Sequence, residues 1–123
     1  MNKIVYNACY GGFSLSEEAI LRYAELKGII LYPEKDRWTT VYWTHPEAKI
    51  SDWLTWEKYY FDPDFDRHDP ILVKVVEELG SKASGEFAKL RIYETTDSVY
   101  RIDEYDGYES VVTQNNQEWV VIK

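Results

Sequence analysis

The chain has 123 residues, enough for one domain with a substantial core. Hydrophobic residues make up 45% and charged residues 29%, and no apolar run approaches the roughly 18 residues of a membrane span, so neither a disordered nor a membrane-spanning chain is expected. A net charge of −8 argues against nonspecific binding to DNA, RNA or anionic membrane and leaves a basic partner or a small ligand as the better candidates.

Lys3 to Ala8 reads as a first strand, broken by Gly11-Gly12. Ser14-Leu15-Ser16-Glu17 then opens a helix, with Ser14 and Glu17 expected to form a capping box. Ala19, Ile20, Tyr23, Ala24 and Lys27 continue the helical period, Gly28 supplies the stop, and Ile29 to Tyr32 resume as a strand. Cys9 is the single cysteine, which rules out an internal disulfide and suits a small buried hydrophobe. The opening Met1 to Tyr6 lacks the pattern of a signal peptide, so a cytoplasmic location is expected.

Arg37 to Thr44 is rich in β-formers, with Trp38, Thr40 and Tyr42 on one face and Thr39, Val41 and Trp43 on the other; a strand with two such faces should be covered. Between Ile50 and Phe61 the signals conflict. Trp53, Trp56 and Tyr60 suit a helix, Glu57 to Phe61 suits a strand, and the segment reads as an irregular, aromatic-rich insertion. The acids from Asp62 to Asp69 resemble a calcium loop only superficially, because Arg67 and Val73 stand where glycine and the bidentate glutamate are needed. A solvated loop leading into a helix cap is expected instead.

Asp69-Pro70 opens the best-marked element and Gly80 closes it. Ile71, Leu72, Val75, Val76 and Leu79 form one apolar stripe, which requires a sheet to cover it. Phe87–Thr95, Val99–Tyr105 and Tyr108–Thr113 read as three strands, with a hairpin at Asp106-Gly107 and a further short run at Glu118 to Ile122. A three-residue loop at Thr96 to Ser98 would set Ile92 against Ile102 and Arg91 against Asp103. The two-residue turn sets Ile102 against Val111 and Glu104 against Glu109. The expected fold is therefore α+β, a mostly antiparallel sheet with two main helices packed on one face. Leu90, Ile92, Tyr100, Ile102 and Val111 would meet the helix, leaving Lys89, Arg91, Tyr93, Arg101, Tyr105 and Tyr108 outside.

Two stretches resemble a family of small proteins of tailed bacteriophages and some bacteria. The first is Tyr6-Asn-Ala-Cys-Tyr-Gly-Gly-Phe-Ser-Leu-Ser-Glu-Glu-Ala19, followed by Tyr23 and Glu25. The second runs from Asp69-Pro70 through Val75-Val76-Glu-Glu-Leu-Gly80, then Ala88 to Ile92 and Glu104-Tyr-Asp-Gly107. The likeness covers a little over half of the chain and carries over no functional residue. It implies a phage accessory role, such as antagonism of a host defence.

No catalytic residue, metal site or cofactor emerges from the residues themselves. Gly12-Phe-Ser14-Leu-Ser16 lacks the second glycine of a nucleophile elbow, and two distant histidines with one cysteine match no metal-ligand spacing. Gly11 and Gly12, ahead of a helix start, read either as a structural turn or as an anion-binding loop. Arg91, Tyr93, Arg101, Tyr105 and Tyr108 combine the residue types that stack on and pair with nucleotides, and that protein interfaces concentrate. The leading expectation is a non-enzymatic protein that sequesters a small nucleotide-like ligand. The alternatives are an acidic inhibitor covering a basic site on a host protein and, last, an enzyme using Glu104 and Glu109. Aromatics reach 16%, with five Trp and eleven Tyr; this excess over the needs of a core also points to a homo-oligomer.

Overall fold

The computed structural model describes residues 1–36, 39–61 and 65–114. It is an α+β fold of small antiparallel sheets and helices. Strand β1 (Asn2–Asn7) pairs with β4 (Leu90–Thr95), β2 (Tyr32–Lys35) with β3 (Thr40–Trp43), and β5 (Tyr100–Tyr105) with β6 (Tyr108–Thr113). The helices are α1 (Glu17–Lys27), α2 (Trp53–Tyr59) and α3 (Pro70–Leu79), the last followed by a 3₁₀ turn, Gly80–Ala83. No helix among the described residues is long and apolar enough to cross a membrane.

The α3 signals act as the sequence predicts. Asp69 Oδ1 accepts from the Ile71 N–H at 2.8 Å, Pro70 takes the first helical position, and Gly80 ends the helix at φ +59°. Its apolar side enters one core with α1 and the β1–β4 sheet, built from Val5, Ala19, Tyr23, Leu72, Val75 and Val76, with Leu90 and Ile92 packed against it. Asp69 also ties the two helices together, accepting from the Tyr23 hydroxyl at 2.9 Å and pairing with Lys27 at 3.1 Å. Helices α1 and α3 thus lie together on one face of a sheet.

That sheet is not the expected meander. β4 does not pair with β5; Ile92 faces Val5 and Arg91 faces Tyr6. Strand β1 offers the same cross-strand chemistry that made Ile102 and Asp103 attractive partners, an aliphatic pair at Val5 and an opposite-charge pair of Lys3 with Glu94. It also ties down the loop after β4, since Asn2 Nδ2 donates to the Asp97 carbonyl at 2.7 Å. Only two of the five residues of the expected apolar face, Leu90 and Ile92, therefore meet the core around α3. Tyr100, Ile102 and Val111 belong to a separate hairpin whose register, Ile102 with Val111 and Glu104 with Glu109, is the one expected. Asp106 and Gly107, both at positive φ, make its two-residue turn.

Three local readings need correction. The cap of α1 is Ser16, whose side chain accepts from the Ala19 N–H at 3.1 Å, and not Ser14, whose carbonyl accepts from the Gly85 N–H. Ile29 to Leu31 precede the strand instead of forming it; Gly28 ends α1 at φ +76° and Ile30 is left exposed. The Ile50–Phe61 insertion contains a helix, α2, because Asp52 caps it at the Leu54 N–H. Val41, Tyr42 and Trp43 are buried, as a strand with two apolar faces requires. Burial, with the Glu17 carboxylate beside it, pushes the Tyr42 phenol up to about 12. Arg37, Trp38, Asp62 to Asp64 and the run from Glu118 to Ile122 lie outside the described residues.

Candidate functional site

The expected arginine and tyrosine surface is divided between two sheets. Arg91 and Tyr93 stand on β4 opposite Tyr6 and Ile4, whereas Arg101, Tyr105 and Tyr108 lie on the β5–β6 hairpin. Both arginines are exposed, but Arg101 pairs with Asp103 on its own strand, Nε to Oδ1 at 2.9 Å. The cause is the change of strand partner: a face continuous from β4 to β6 needs a β4–β5 ladder.

Gly11 and Gly12 come together with Tyr108, in a tightly packed corner. A Cβ on Gly11 would run into the Phe87 carbonyl, and one on Gly107 into the backbone of Tyr10 and Gly12. Tyr10 packs on Tyr108 with ring centroids 5.2 Å apart. Buried Asn7 locks the corner by donating to the Cys9 and Gly107 carbonyls at 2.8 and 2.9 Å and accepting from the Lys89 N–H at 2.8 Å. Cys9, half-buried, gives its Sγ to the Phe87 carbonyl at 3.0 Å. The helix start beyond this loop carries its own serine cap and two acids, Glu17 and Glu18, which oppose an incoming anion. The geometry is that of a structural turn.

Sequence reasoning passed over Arg67. Its guanidinium grips the buried carboxylate of Glu109 in a fork, Nη1 to Oε1 at 2.6 Å and Nη2 to Oε2 at 2.9 Å, while the Asn7 N–H donates to the same carboxylate at 2.8 Å. The guanidinium also lies over the Phe13 ring, 3.7 Å from its centroid. This joint fixes the β5–β6 hairpin to β1 and to the segment leading into α3. The only signal for it was a lone cation within the acidic run before Asp69, together with an acid on the hairpin face that carries Val111. Glu109 is thereby committed to structure, and its cross-strand neighbour Glu104 is exposed.

Beside this joint, His68 Nδ1 lies 2.7 Å from the Tyr100 hydroxyl and 2.8 Å from Asp66 Oδ1. Burial, reinforced by Asp66, raises the Tyr100 phenol above its ordinary range. The cleft bordered by His68 and Tyr100, with Lys3, Ile4 and Ser98, measures about 230 Å³. Sites for drug-sized ligands run from about 300 to 1,000 Å³, so a nucleotide has little enclosure there. Among the described residues no group of three or more His, Cys, Asp or Glu could hold a metal ion.

A further surface feature belongs to the insertion. Trp53 and Trp56 on α2, and Tyr60 just past its end, are 70%, 37% and 43% exposed, with Leu54 at 53%. Beneath them lies Trp43, 1% exposed, its ring 5.0 Å from Trp56 and 6.2 Å from Tyr60. Glu34 Oε1 accepts from both the Trp43 indole and the Ile50 N–H at 3.0 Å, and the Trp56 indole donates to the Ile50 carbonyl at 3.1 Å. Backbone bonds from Thr44 to Tyr59 and from Phe61 to Tyr42, each 2.9 Å, bolt the end of α2 to β3. Trp56 and Tyr60 are therefore held against the buried Trp43 ring. Comparison with family models, curated proteins and solved structures returned no match.

Proposed function

We propose that this is a binding protein without catalytic chemistry of its own, and that it covers a basic site on another protein with the aromatic surface of α2. The observation that carries this reading is the exposure of Trp53, Leu54, Trp56 and Tyr60 side by side on an element that buried Trp43 holds in position. Tryptophan and tyrosine are the side chains that interfaces concentrate, and presenting them in a fixed arrangement lowers the ordering cost of association. A net charge of −8 steers a basic partner toward the molecule, and arginine or lysine side chains stack favourably on exposed indole and phenol rings. The likeness to phage proteins suggests a host protein in this role and antagonism of a host defence as the outcome.

Sequestration of a nucleotide-like ligand has less support. Its two arginines lie on different sheets, each beside its own open cleft, about 440 Å³ at Arg91 and about 460 Å³ at Arg101, and neither cleft holds both. A carboxylate-based enzyme has least, because Arg67 occupies one member of the Glu104 and Glu109 pair. The test is affinity capture of a partner by the wild-type chain and by Trp53→Ser, an exposed position whose substitution spares the core. The expected result is a basic protein retained by the wild type and released by the variant, with retention falling as salt rises. Equal retention by both chains would contradict the reading.

A further inference from the structure

We propose that the open edge of β5 pairs antiparallel with β5 of a second copy of this chain, about a two-fold axis at Ile102. Among the described residues β5 has one strand partner, β6, so its other edge carries no ladder. The hairpin turn says which backbone groups that edge presents. Tyr105 and Tyr108 flank a two-residue turn and form a hydrogen-bonded pair, so Asp103 and Arg101 also direct their N–H and C=O groups at β6. Tyr100, Ile102 and Glu104 direct theirs outward. An unpaired row of this kind is a template for another strand, and an isolated two-stranded ribbon gains stability from a third.

Charge selects both the occupant and the register. With the axis at Ile102, that residue faces its own counterpart in a hydrogen-bonded pair, Tyr100 faces Glu104 of the other copy, and Arg101 faces Asp103 of the other copy. The two charge pairs fall at non-hydrogen-bonded positions, where opposed side chains approach closest. Axes one residue to either side would instead set Arg101 against Arg101 or Asp103 against Asp103. The sequence about Ile102 is thus complementary to itself, as a two-fold interface demands. The existing Arg101–Asp103 contact within one chain is exposed and can be exchanged for the contact between copies. Val99 and Tyr105, 74% and 79% exposed, would come opposite each other at the two ends of the ribbon.

Paired single strands bury less than the roughly 1,200 Å² of a standard stable interface, so monomer and dimer should exchange with concentration. Sedimentation velocity over a concentration series, on the wild type and on Arg101→Asp and Asp103→Arg, tests the proposal. The wild type is expected to move from one chain toward two, each variant to remain single because like charges confront across the axis, and an equimolar mixture of the two variants to pair again. A wild type that stays monomeric throughout, variants that pair as well as the wild type, or a mixture that fails to pair would each overturn it. Amide exchange on the wild type gives a reading free of any effect of substitution on folding. The Ile102 and Glu104 N–H groups should slow as concentration rises, and protection that grows at α2 instead would also overturn the proposal.

Discussion

The fork between Arg67 and Glu109 is the interaction that most directly fixes one part of this molecule to another. Its carboxylate is buried, so removing the cation leaves a buried charge without its ion-pair partner. Arg67→Met is expected to cost about 3 kcal/mol in urea unfolding, whereas Arg67→Met with Glu109→Leu should cost less than the single change, because no charge is then stranded. Asp69 gives a second residue-scale expectation. Burial alone would raise its carboxyl, but the Ile71 N–H, then Lys27 and the Tyr23 hydroxyl, outweigh burial and hold it below the usual carboxylate range. A group depressed in the folded state stabilises the fold above its unfolded value, near 3.9, and loses that contribution as pH falls through the folded value. Wild type and Asp69→Asn should therefore differ in urea midpoint at neutral pH and converge as the pH is lowered below about 4. A gap that stayed constant down to the acid limit would show that the contribution of Asp69 is not its charge.

At the scale of elements, the cap of α1 and the glycine corner make separable predictions. Ser16→Ala should lower stability by about 1 kcal/mol through loss of the bond to the Ala19 N–H, and Ser14→Ala by clearly less; thermal unfolding of the two variants distinguishes them. Gly11→Ala should cost about 1 to 3 kcal/mol, since its Cβ would enter the space of the Phe87 carbonyl and the backbone must shift. What the sequence made legible were elements whose signals are local: the Asp-Pro start and Gly end of α3, the Gly28 stop of α1, and the Asp106-Gly107 turn with its register. What it hid depended on competition between distant segments. β4 had two chemically similar partners, and nothing within Phe87 to Tyr105 reveals that Val5 and Lys3 compete for Ile92 and Glu94. The capping error has the same character, because Ser14 and Ser16 both precede helical sequence and distant contacts separate them, Ser14 with Gly85 and Ser16 with Lys82 and Ala83. The helix that carries the exposed tryptophans was hidden for a further reason. Trp53, Trp56 and Tyr60 carry a helical period, but the β-forming run from Glu57 competes with it, and the deciding bonds run to Lys49, Ile50 and Tyr42.

For the molecule as a whole, the division of strands into separate small sheets decides what the surface can do. A continuous β4–β5–β6 sheet would have gathered arginine and tyrosine into one recognition face; the observed pairing divides them between two sheets and leaves α2 as one of the places where large apolar side chains stand in solvent. Substituting Arg91 and Arg101 together by Ala should accordingly leave capture of a protein partner within about twofold of the wild type. Trp53→Ser, at a position of hot-spot character, should weaken it by about thirtyfold, corresponding to about 2 kcal/mol. The most direct measurement is hydroxyl-radical footprinting of the chain free and in complex with its captured partner. Trp53, Leu54, Trp56 and Tyr60 should become protected on binding while Tyr105 keeps its reactivity. Protection of Tyr105 and Tyr108 with α2 left unchanged would contradict the assignment of the binding surface to α2.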